Sequence, residues 1–348
     1  MSKKIKLFCV LKTNPFIFLI LETNYSNQTK SNIFVSLKKR AVKIKNYERT
    51  SMNRNISKFL YAFLLLLCTF ISHSQSHVEV AYFNYAIVPQ SDFKEGTGNA
   101  SLTNLEGNLV TPTLTLGKKT KMNTLLYYRL SQYNYNSVTL ENLNLPEQLH
   151  EMKLTFLTRH TFNSNWELLL VPRVNIRSDF EAAIGNKDIF PACSAIAMRT
   201  SRNNTKFRWG FGLNYNNDFG KNSIIPIVAF GFSNKKMRFS SYLPNNANIV
   251  FLPNKKIEYG FGYAADPTLV HVNTGNSVVY IRTLNFHINP SFAYNVTSNV
   301  WLNLKAGYVV RRNFDLYTSN FESPSSSFEN KLKASVFMQM GVSLRSKQ

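Results

Sequence analysis

The sequence predicts an all-β protein, a transmembrane antiparallel up-and-down β-barrel of about 12 strands, with about 10–14 as the limits. Segments that alternate between apolar and polar residues follow one another, and clusters of Asn, Gly, Ser, Asp and Lys separate them. Residues 75–348 contain no apolar run of the roughly 18 residues that a membrane helix needs. We expect an even strand number, because both ends of a single-chain barrel lie on one side of the membrane.

Residues 166–180 show the alternation over about 14 residues, whereas a tilted membrane strand needs about 9–11 residues and soluble strands average about 5–6. One face carries Leu168, Leu170, Pro172, Val174 and Ile176. The other face carries Glu167, Leu169, Val171, Arg173, Asn175, Arg177 and Asp179. Because successive side chains of a strand point to opposite faces, the first set is predicted to face lipid and the second to face the lumen.

The same unit repeats along the chain. In order, the candidate strands are 77–88, 102–117, 121–135, 149–162, 166–179, 190–201, 206–217, 222–233, 236–243, 247–252, 255–265, 277–296, 299–313 and 330–345. Segments 236–243 and 247–252 are short enough to form one irregular hairpin that does not cross the membrane, and omitting them gives the estimate of 12. The wall must close, because an open edge in lipid leaves backbone groups unpaired.

A few residues interrupt the pattern. Pro172 and Pro226 each remove a ladder hydrogen bond, for which a β-bulge is the usual remedy. Arg282 lies on the apolar side of its strand, and we interpret it as a membrane-interface position or a bulge. Five aromatic residues are expected in the interfacial girdles or facing lipid. They are Trp166, Trp301, Tyr128, Tyr259 and Tyr294.

A secreted β-sandwich is the alternative fold, because its strands also alternate. The candidate strands here are long, and aromatic residues make up 14% of the chain. Their polar faces carry mostly Gly, Ser, Thr and Asn with isolated charges, whereas the solvated face of a sandwich would carry dense charge. These observations favour the barrel.

Residues 52–74 predict a secretory signal peptide. Arg54 and Lys58 precede the apolar stretch 59–71, and we expect cleavage after Ser74. Residues 1–51 are interpreted as an upstream mistranslated stretch or a disordered extension, because a secretory signal normally begins a chain. Residues 75–348 are then a single outer-membrane β-barrel domain, and the expected location is the outer membrane of a Gram-negative cell.

The net charge and the predicted export limit the classes of molecule that the protein is expected to bind. Of the total of +22, residues 1–51 carry +9 and residues 52–74 carry +2, which leaves +11 for residues 75–348. Export excludes nucleic acid, so the expected partners are outer-membrane lipids and lipopolysaccharide, together with the barrel-assembly machinery. Cys193 is the one cysteine after residue 75, so no intramolecular disulfide is predicted. The sequence makes no prediction of oligomeric state.

Three features carry a resemblance. They are Trp166 in a strand that ends Ser178–Asp179–Phe180, the Phe- and Gly-rich strand Phe207–Asn216 followed by Pro226, and Tyr242–Leu243–Pro244 leading to 256–263. In these features the chain resembles a family of Gram-negative outer-membrane β-barrels classed as a domain of unknown function. The resemblance extends from about residue 77 to residue 345. The resemblance implies the fold and carries no known chemistry.

No motif predicts catalysis, and we expect a protein that is not an enzyme and has no cofactor or metal. The histidines of residues 75–348 lack metal-ligand spacing and are expected at the surface or the interface. Gly210-Phe-Gly212 does not complete a phosphate loop, so its glycines are predicted to relieve crowding inside the barrel. A lipid-modifying barrel enzyme stays a minor alternative, although no Gly-x-Ser-x-Gly motif is present.

The candidate functional residues are charges predicted to point inward near mid-strand. They are Arg129, Arg159, Glu167, Arg173, Arg177, Arg208, Glu258 and Lys305. In the lumen they would either line a pore or pair with one another to plug it. Two functions therefore stay open: a channel for small polar or anionic solutes, and a closed structural or adhesive barrel that acts through its extracellular loops.

Overall fold

The computed structural model describes residues 77–94, 98–136, 145–201, 207–219, 222–273, 279–318 and 329–347. The predicted extension 1–51, the signal peptide 52–74 and the cleavage site at Ser74 lie outside the described residues. In the described part of the chain, no helix is long and apolar enough to cross a membrane.

The described residues form one antiparallel sheet of β-segments and a short 3-10 helix, Asn186–Asp188. The segments are β1 (His77–Asp92), β2 (Asn99–Val110), β3 (Leu114–Leu116), β4 (Thr120–Asn136), β5 (Gln148–Thr161), β6 (Trp166–Ser178), β7 (Ile189–Thr200), β8 (Phe207–Asn216), β9 (Ser223–Ser233), β10 (Met237–Leu243), β11 (Asn246–Phe251), β12 (Ile257–His271), β13 (Tyr280–Asn295), β14 (Val300–Tyr317), β15 (Glu329–Leu332) and β16 (Ser335–Lys347). Segments β2 and β3 both pair with β4, and β15 and β16 both pair with β14, so each couple is one barrel strand.

The wall closes where β1 pairs with β16, from His77 opposite Lys347 to Ile87 opposite Met338. The fold is a closed antiparallel barrel, as predicted, but its strands number 14 and the estimate of 12 was wrong. Both short segments belong to the wall, since β10 pairs with β9 and β11, and β11 pairs with β12. Without them the edges of β9 and β12 would stand open along their whole length in lipid.

The two ends of the barrel differ. The end at which β1 begins and β16 ends has short turns and is called the terminal end; the opposite end has the longer connections and is called the loop end. Around the wall, apolar side chains point outward, as on β16, where Val336, Met338, Met340 and Leu344 are about half exposed. This band is the lipid-facing surface.

The backbone accommodates its glycines and prolines locally. Gly212 alternates with the exposed Phe211 and Leu213, and a Cβ on it would lie 2.9 Å from Cγ1 of the buried Ile196, as expected for an inward glycine. The pairing of β5 with β6 is interrupted at Pro172, but the register is the same on both sides of the interruption. The expectation of a bulge at Pro172 was therefore wrong. Pro226 lies beyond Val228, the last residue of β9 that pairs with β10.

Candidate functional site

The loop end of the lumen is closed by the wall itself. Strands β12, β13 and β14 continue past their neighbours, and Leu269, Ile281 and Phe314 are at most 1% exposed. A wall strand between lipid and lumen would expose alternate residues to lipid, so these strand ends are not part of the lipid-facing wall. They fold into the lumen, and we call residues 266–271, 280–284 and 312–317 the inward-folded segment.

The inner face of the inward-folded segment is apolar. Val270, Ile281 and Phe314 pack in one cluster with Val88 of β1 and Tyr133 of β4. The rings of Phe314 and Tyr133 meet edge to face with centroids 5.5 Å apart. This face is therefore fixed to the wall formed by β1, β2, β4 and β5 as part of the hydrophobic core.

The opposite face of the inward-folded segment meets β6, β7 and the loops beside them, and we call this contact the seam. His271 forms a parallel β-bridge with Ser178 of β6, although β7 to β11 separate the two strands in the sheet. The Nδ1 atom of His271 lies 2.7 Å from Oδ1 of Asp188, and the Asn273 N–H donates to Asp179 at 2.6 Å. The seam also contains a small apolar cluster, in which Phe190 of β7 packs against Leu269 and Tyr280.

The seam corrects two predictions from the sequence. Arg282 is neither an interface residue nor a bulge: its Nε donates to Asp315 at 2.9 Å and its Nη1 donates to the Phe219 carbonyl at 3.0 Å. Arg282 lies on the face of β13 that points to lipid elsewhere in the strand. At this end of the strand the β8–β9 loop covers that face, so Arg282 does not contact lipid. His271 is 7% exposed, so the expected surface position was wrong for this histidine.

Asp188 makes the seam sensitive to acid. Burial alone would raise the pKa of its carboxyl, but hydrogen bonds from the Gly185 N–H and from His271 hold that pKa below its ordinary value. A lowered folded-state pKa gives stability that is present above the ordinary pKa of 3.8 and is lost as the pH falls through the folded value. We therefore expect wild-type stability to fall below about pH 4 and Asp188→Asn to remove part of that fall.

Guanidinium unfolding of detergent-folded protein between about pH 3 and pH 7 measures this effect. Asp92→Asn is the matched control, because Asp92 pairs with Lys333 at an exposed site. An acid profile that is the same in Asp188→Asn and wild type would contradict the role of Asp188.

Below the inward-folded segment lies a buried ionic network centred on Glu151. Arg177 Nε donates to Glu151 at 2.6 Å, Arg129 Nη2 lies 2.9 Å from it, and Lys153 Nζ lies 3.1 Å from it. Arg177 also donates to Asp218 at 2.6 Å, and Arg129 pairs with Asp266. The network spans the lumen from β4, β5 and β6 to β12 and the β8–β9 loop.

The terminal half of the lumen holds two adjoining cavities, of about 420 and 400 Å³, that share Arg238 and Asn248. In the first, Glu258 accepts from Arg238 at 3.0 Å and from Arg345 at 2.8 Å. Lys305 also lines this cavity. The Arg345 guanidinium lies 4.5 Å from the Trp301 ring centroid, and Trp301 is 1% exposed, so its predicted girdle position was wrong.

In the second cavity Glu167 lies between two arginines. Arg159 Nε is 3.7 Å from Glu167, and Arg208 pairs with the other carboxylate oxygen. The side chains of Arg159 and Arg208 are 49% and 33% exposed, so both reach open space in the lumen. Arg173 lies nearer the loop end, where it donates to Asn214 at 3.2 Å.

The structure thus divides the eight predicted charges between two levels. Arg129, Arg173 and Arg177 lie in the loop half. Arg159, Glu167, Arg208, Glu258 and Lys305 lie in the terminal half. The prediction missed Glu151, Asp218, Asp266, Arg238 and Arg345. Alternation alone would have placed Glu151 inward with Lys153, whereas the partners across the lumen required the strand register. In the described part of the chain, no group of His, Cys, Asp and Glu is placed to hold a metal.

Comparisons with known proteins give one family and a group of distantly similar structures. A family model described as "Domain of unknown function (DUF6268)" matches residues 70–345, which confirms the resemblance found in the sequence. No curated protein matches the chain. Similar solved structures include an outer membrane channel from Pseudomonas putida F1, at 10% identity over 80% of this chain and 98% of that chain with a TM-score of 0.38.

Two further solved structures are similarly distant from this chain. The TodX monoaromatic hydrocarbon channel is 9% identical over 78% of this chain and 91% of that chain, with a TM-score of 0.37. The translocator domain of the autotransporter NalP from Neisseria meningitidis is 8% identical over 86% of this chain and 98% of that chain, with a TM-score of 0.32. At these identities and TM-scores the likenesses say nothing of what this chain does.

Proposed function

The chain belongs to the family described as "Domain of unknown function (DUF6268)", and we propose that it is an outer-membrane transport barrel for small polar or anionic solutes, gated at the seam. The terminal end then faces the periplasm and the loop end faces the outside, as for single-chain barrels whose termini are periplasmic. The basic barrel domain would contact lipid and lipopolysaccharide phosphates, after insertion by the assembly machinery.

The charged cavities of the terminal half are the observation that carries the proposal. Arg159 and Arg208 are partly exposed in a cavity of about 400 Å³ and share one carboxylate, Glu167. Open lumen lined by surplus positive charge attracts anions. The two cavities give the terminal half of the lumen room for a small solute.

We place the gate at the seam because, among the described residues, its apolar cluster has three buried residues, whereas the inner face of the inward-folded segment belongs to a cluster of eleven. Exposing buried side chains such as Ile281 and Phe314 costs about 1.5–3 kcal/mol each. The seam contacts of His271 and Asn273 are made to carboxylates and contribute about 1.5–3 kcal/mol each, and water can replace them when they part. Separation at the seam, together with parting of the ion pair between Arg129 and Asp266 below it, would connect the cavities to the loop end.

A disulfide across the seam tests the gate. Ser178 and His271 are β-bridge partners, so Ser178→Cys and His271→Cys together place two thiols within disulfide reach. Cys193→Ser removes the one native cysteine after the predicted cleavage site. In planar bilayers we expect ion current from the reduced double-cysteine protein and loss of that current on oxidation. Ser178→Cys alone is the control and should show no redox dependence.

Silence of both redox forms, from protein that shows a heat-modifiable gel shift, would contradict a channel. That result would favour the second candidate, a closed structural or adhesive barrel acting through its extracellular loops. The apolar cluster around Phe314 is the observation that favours this alternative, because it makes the loop-end closure part of the core. We propose no catalytic role and no cofactor for either function.

A further inference from the structure

The barrel wall has a gap between β9 and β12. Strand β9 pairs with β10 only between Val228 and Ser233, and β12 pairs with β11 only as far as Ala264. Just beyond this, the Ala265 N–H donates to Asn245 in the β10–β11 turn at 2.7 Å. Among the described residues, no strand fills the space above that turn over residues 224–227 of β9, a length of about 13 Å.

The rim of the gap carries prolines and apolar side chains, which lower the cost of an unpaired strand edge in lipid. Pro226, Pro244 and Pro267 lie on its three sides, in β9, the β10–β11 turn and β12. Proline lacks an N–H, so it lowers the number of donors that an exposed edge would leave unpaired. Ile224 and Leu243 beside the gap are 67% and 40% exposed. The gap therefore opens within the lipid-facing band.

The cavity of about 400 Å³ approaches the gap from inside. It is lined by Tyr242, the residue that precedes Leu243 at the floor of the gap. Leu169 and Met198 also line it, and they pack in one apolar cluster with Ile227 of β9. An apolar inner wall is unexpected for a barrel that carries only polar solutes, because the interior of such a barrel is polar.

The same cavity has a positive end. Arg159 and Arg208 flank Glu167 at the terminal side of the cavity, so two guanidinium groups share a single carboxylate. One positive charge is left for a bound anion, and guanidinium groups bind carboxylate and phosphate through charge-assisted hydrogen bonds. The cavity thus has an apolar wall and a positive end, and Ile227, packed against that wall, separates the cavity from the gap.

We propose that this cavity binds an amphiphile with one acyl chain and an anionic head group, and that the gap is its lateral entrance from the bilayer. The head group lies at Arg159 and Arg208. The acyl chain lies along Leu169 and Met198, and it enters when the side chain of Ile227 between the gap and the cavity moves aside. This inference goes beyond the proposed solute route, because lateral access does not require the seam to open.

Binding of dodecanoate and of dodecyl phosphate to the barrel in nanodiscs of zwitterionic lipid tests the head-group site, with dodecanol as the uncharged probe. The double variant Arg159→Gln/Arg208→Gln should bind both anions about tenfold more weakly or worse, the loss that one charge-assisted hydrogen bond implies, and should bind dodecanol as before. A preference for one anion identifies a carboxylate or a phosphate as the natural head group. Arg311→Gln, an exposed arginine outside the cavity, is the control.

Wild-type protein that binds the anions no better than the double variant would overturn the site. The lateral entrance has its own test in Ile225→Trp, which narrows the gap without touching the arginines. We expect slower uptake of dodecanoate supplied from the bilayer at an affinity close to wild type, and an unchanged uptake rate would overturn the entrance. Neither readout uses ion current, so a barrel that conducts but does not bind dodecanoate would keep the proposed channel and lose this inference.

Discussion

Replacing Glu151 by Gln should lower the free energy of unfolding by about 3–5 kcal/mol, the usual cost of removing one partner from a buried ion pair. The Glu151 side chain is 3% exposed and contacts Arg129, Lys153 and Arg177. Without the carboxylate, three cations would face one another in a space that water hardly reaches. Asp218 and Asp266 would then be the only acids near them within the described network.

Denaturant unfolding in detergent or lipid, followed by the heat-modifiable gel shift, gives the free energy of unfolding. Glu79→Gln is the matched control, because the Glu79 side chain is 40% exposed and its contact with Arg345 is 3.8 Å long. Exposed pairs of this kind contribute about 0–1 kcal/mol. Equal losses in the two variants would show that water screens the network around Glu151.

The sequence predicted which face of its own strand each charge of this network lies on, but not which charges pair with one another. Alternation placed Arg129 and Arg177 on the lumen side, and the structure agrees. Their partners were not predictable, because Asp266 is 137 residues away from Arg129 along the chain. Asp218 lies in a loop, where alternation makes no prediction. Register and closure decide these pairs, and both are properties of the whole sheet.

The strand number was missed for a related reason. Strands β10 and β11 have 7 and 6 residues, fewer than the roughly 9–11 that a tilted strand needs to cross the bilayer. Length therefore indicated a hairpin outside the wall. In the structure both strands are part of the wall. Because they are shorter than β9 and β12, a gap remains between those two strands beyond the β10–β11 turn.

The inward-folded segment was the largest feature that alternation could not predict. Residues 312–316 of β14 are buried one after another, as are residues 268–271 of β12. A buried run of this kind belongs to a strand covered on both faces, whereas a barrel wall has one face in lipid. Arg282 was the single local signal, since a charge on the apolar side of its strand is not compatible with lipid contact.

Phe314→Ala should destabilise the barrel by about 3–5 kcal/mol, the usual cost of deleting a buried phenylalanine side chain. Phe314 is 1% exposed and packs against Tyr133 and Tyr135 with ring centroids 5.5 and 6.0 Å away. The cavity left by the ring cannot be refilled by lipid, because the inward-folded segment lies inside the wall.

Phe211→Ala is the matched control for this prediction. Phe211 is 57% exposed on the lipid-facing band, where acyl chains occupy the space that the ring leaves. The same substitution should therefore cost clearly less at Phe211 than at Phe314 in denaturant unfolding from lipid. Equal costs would mean that Phe314 faces a fluid environment, and the loop end would then be open to solvent or lipid.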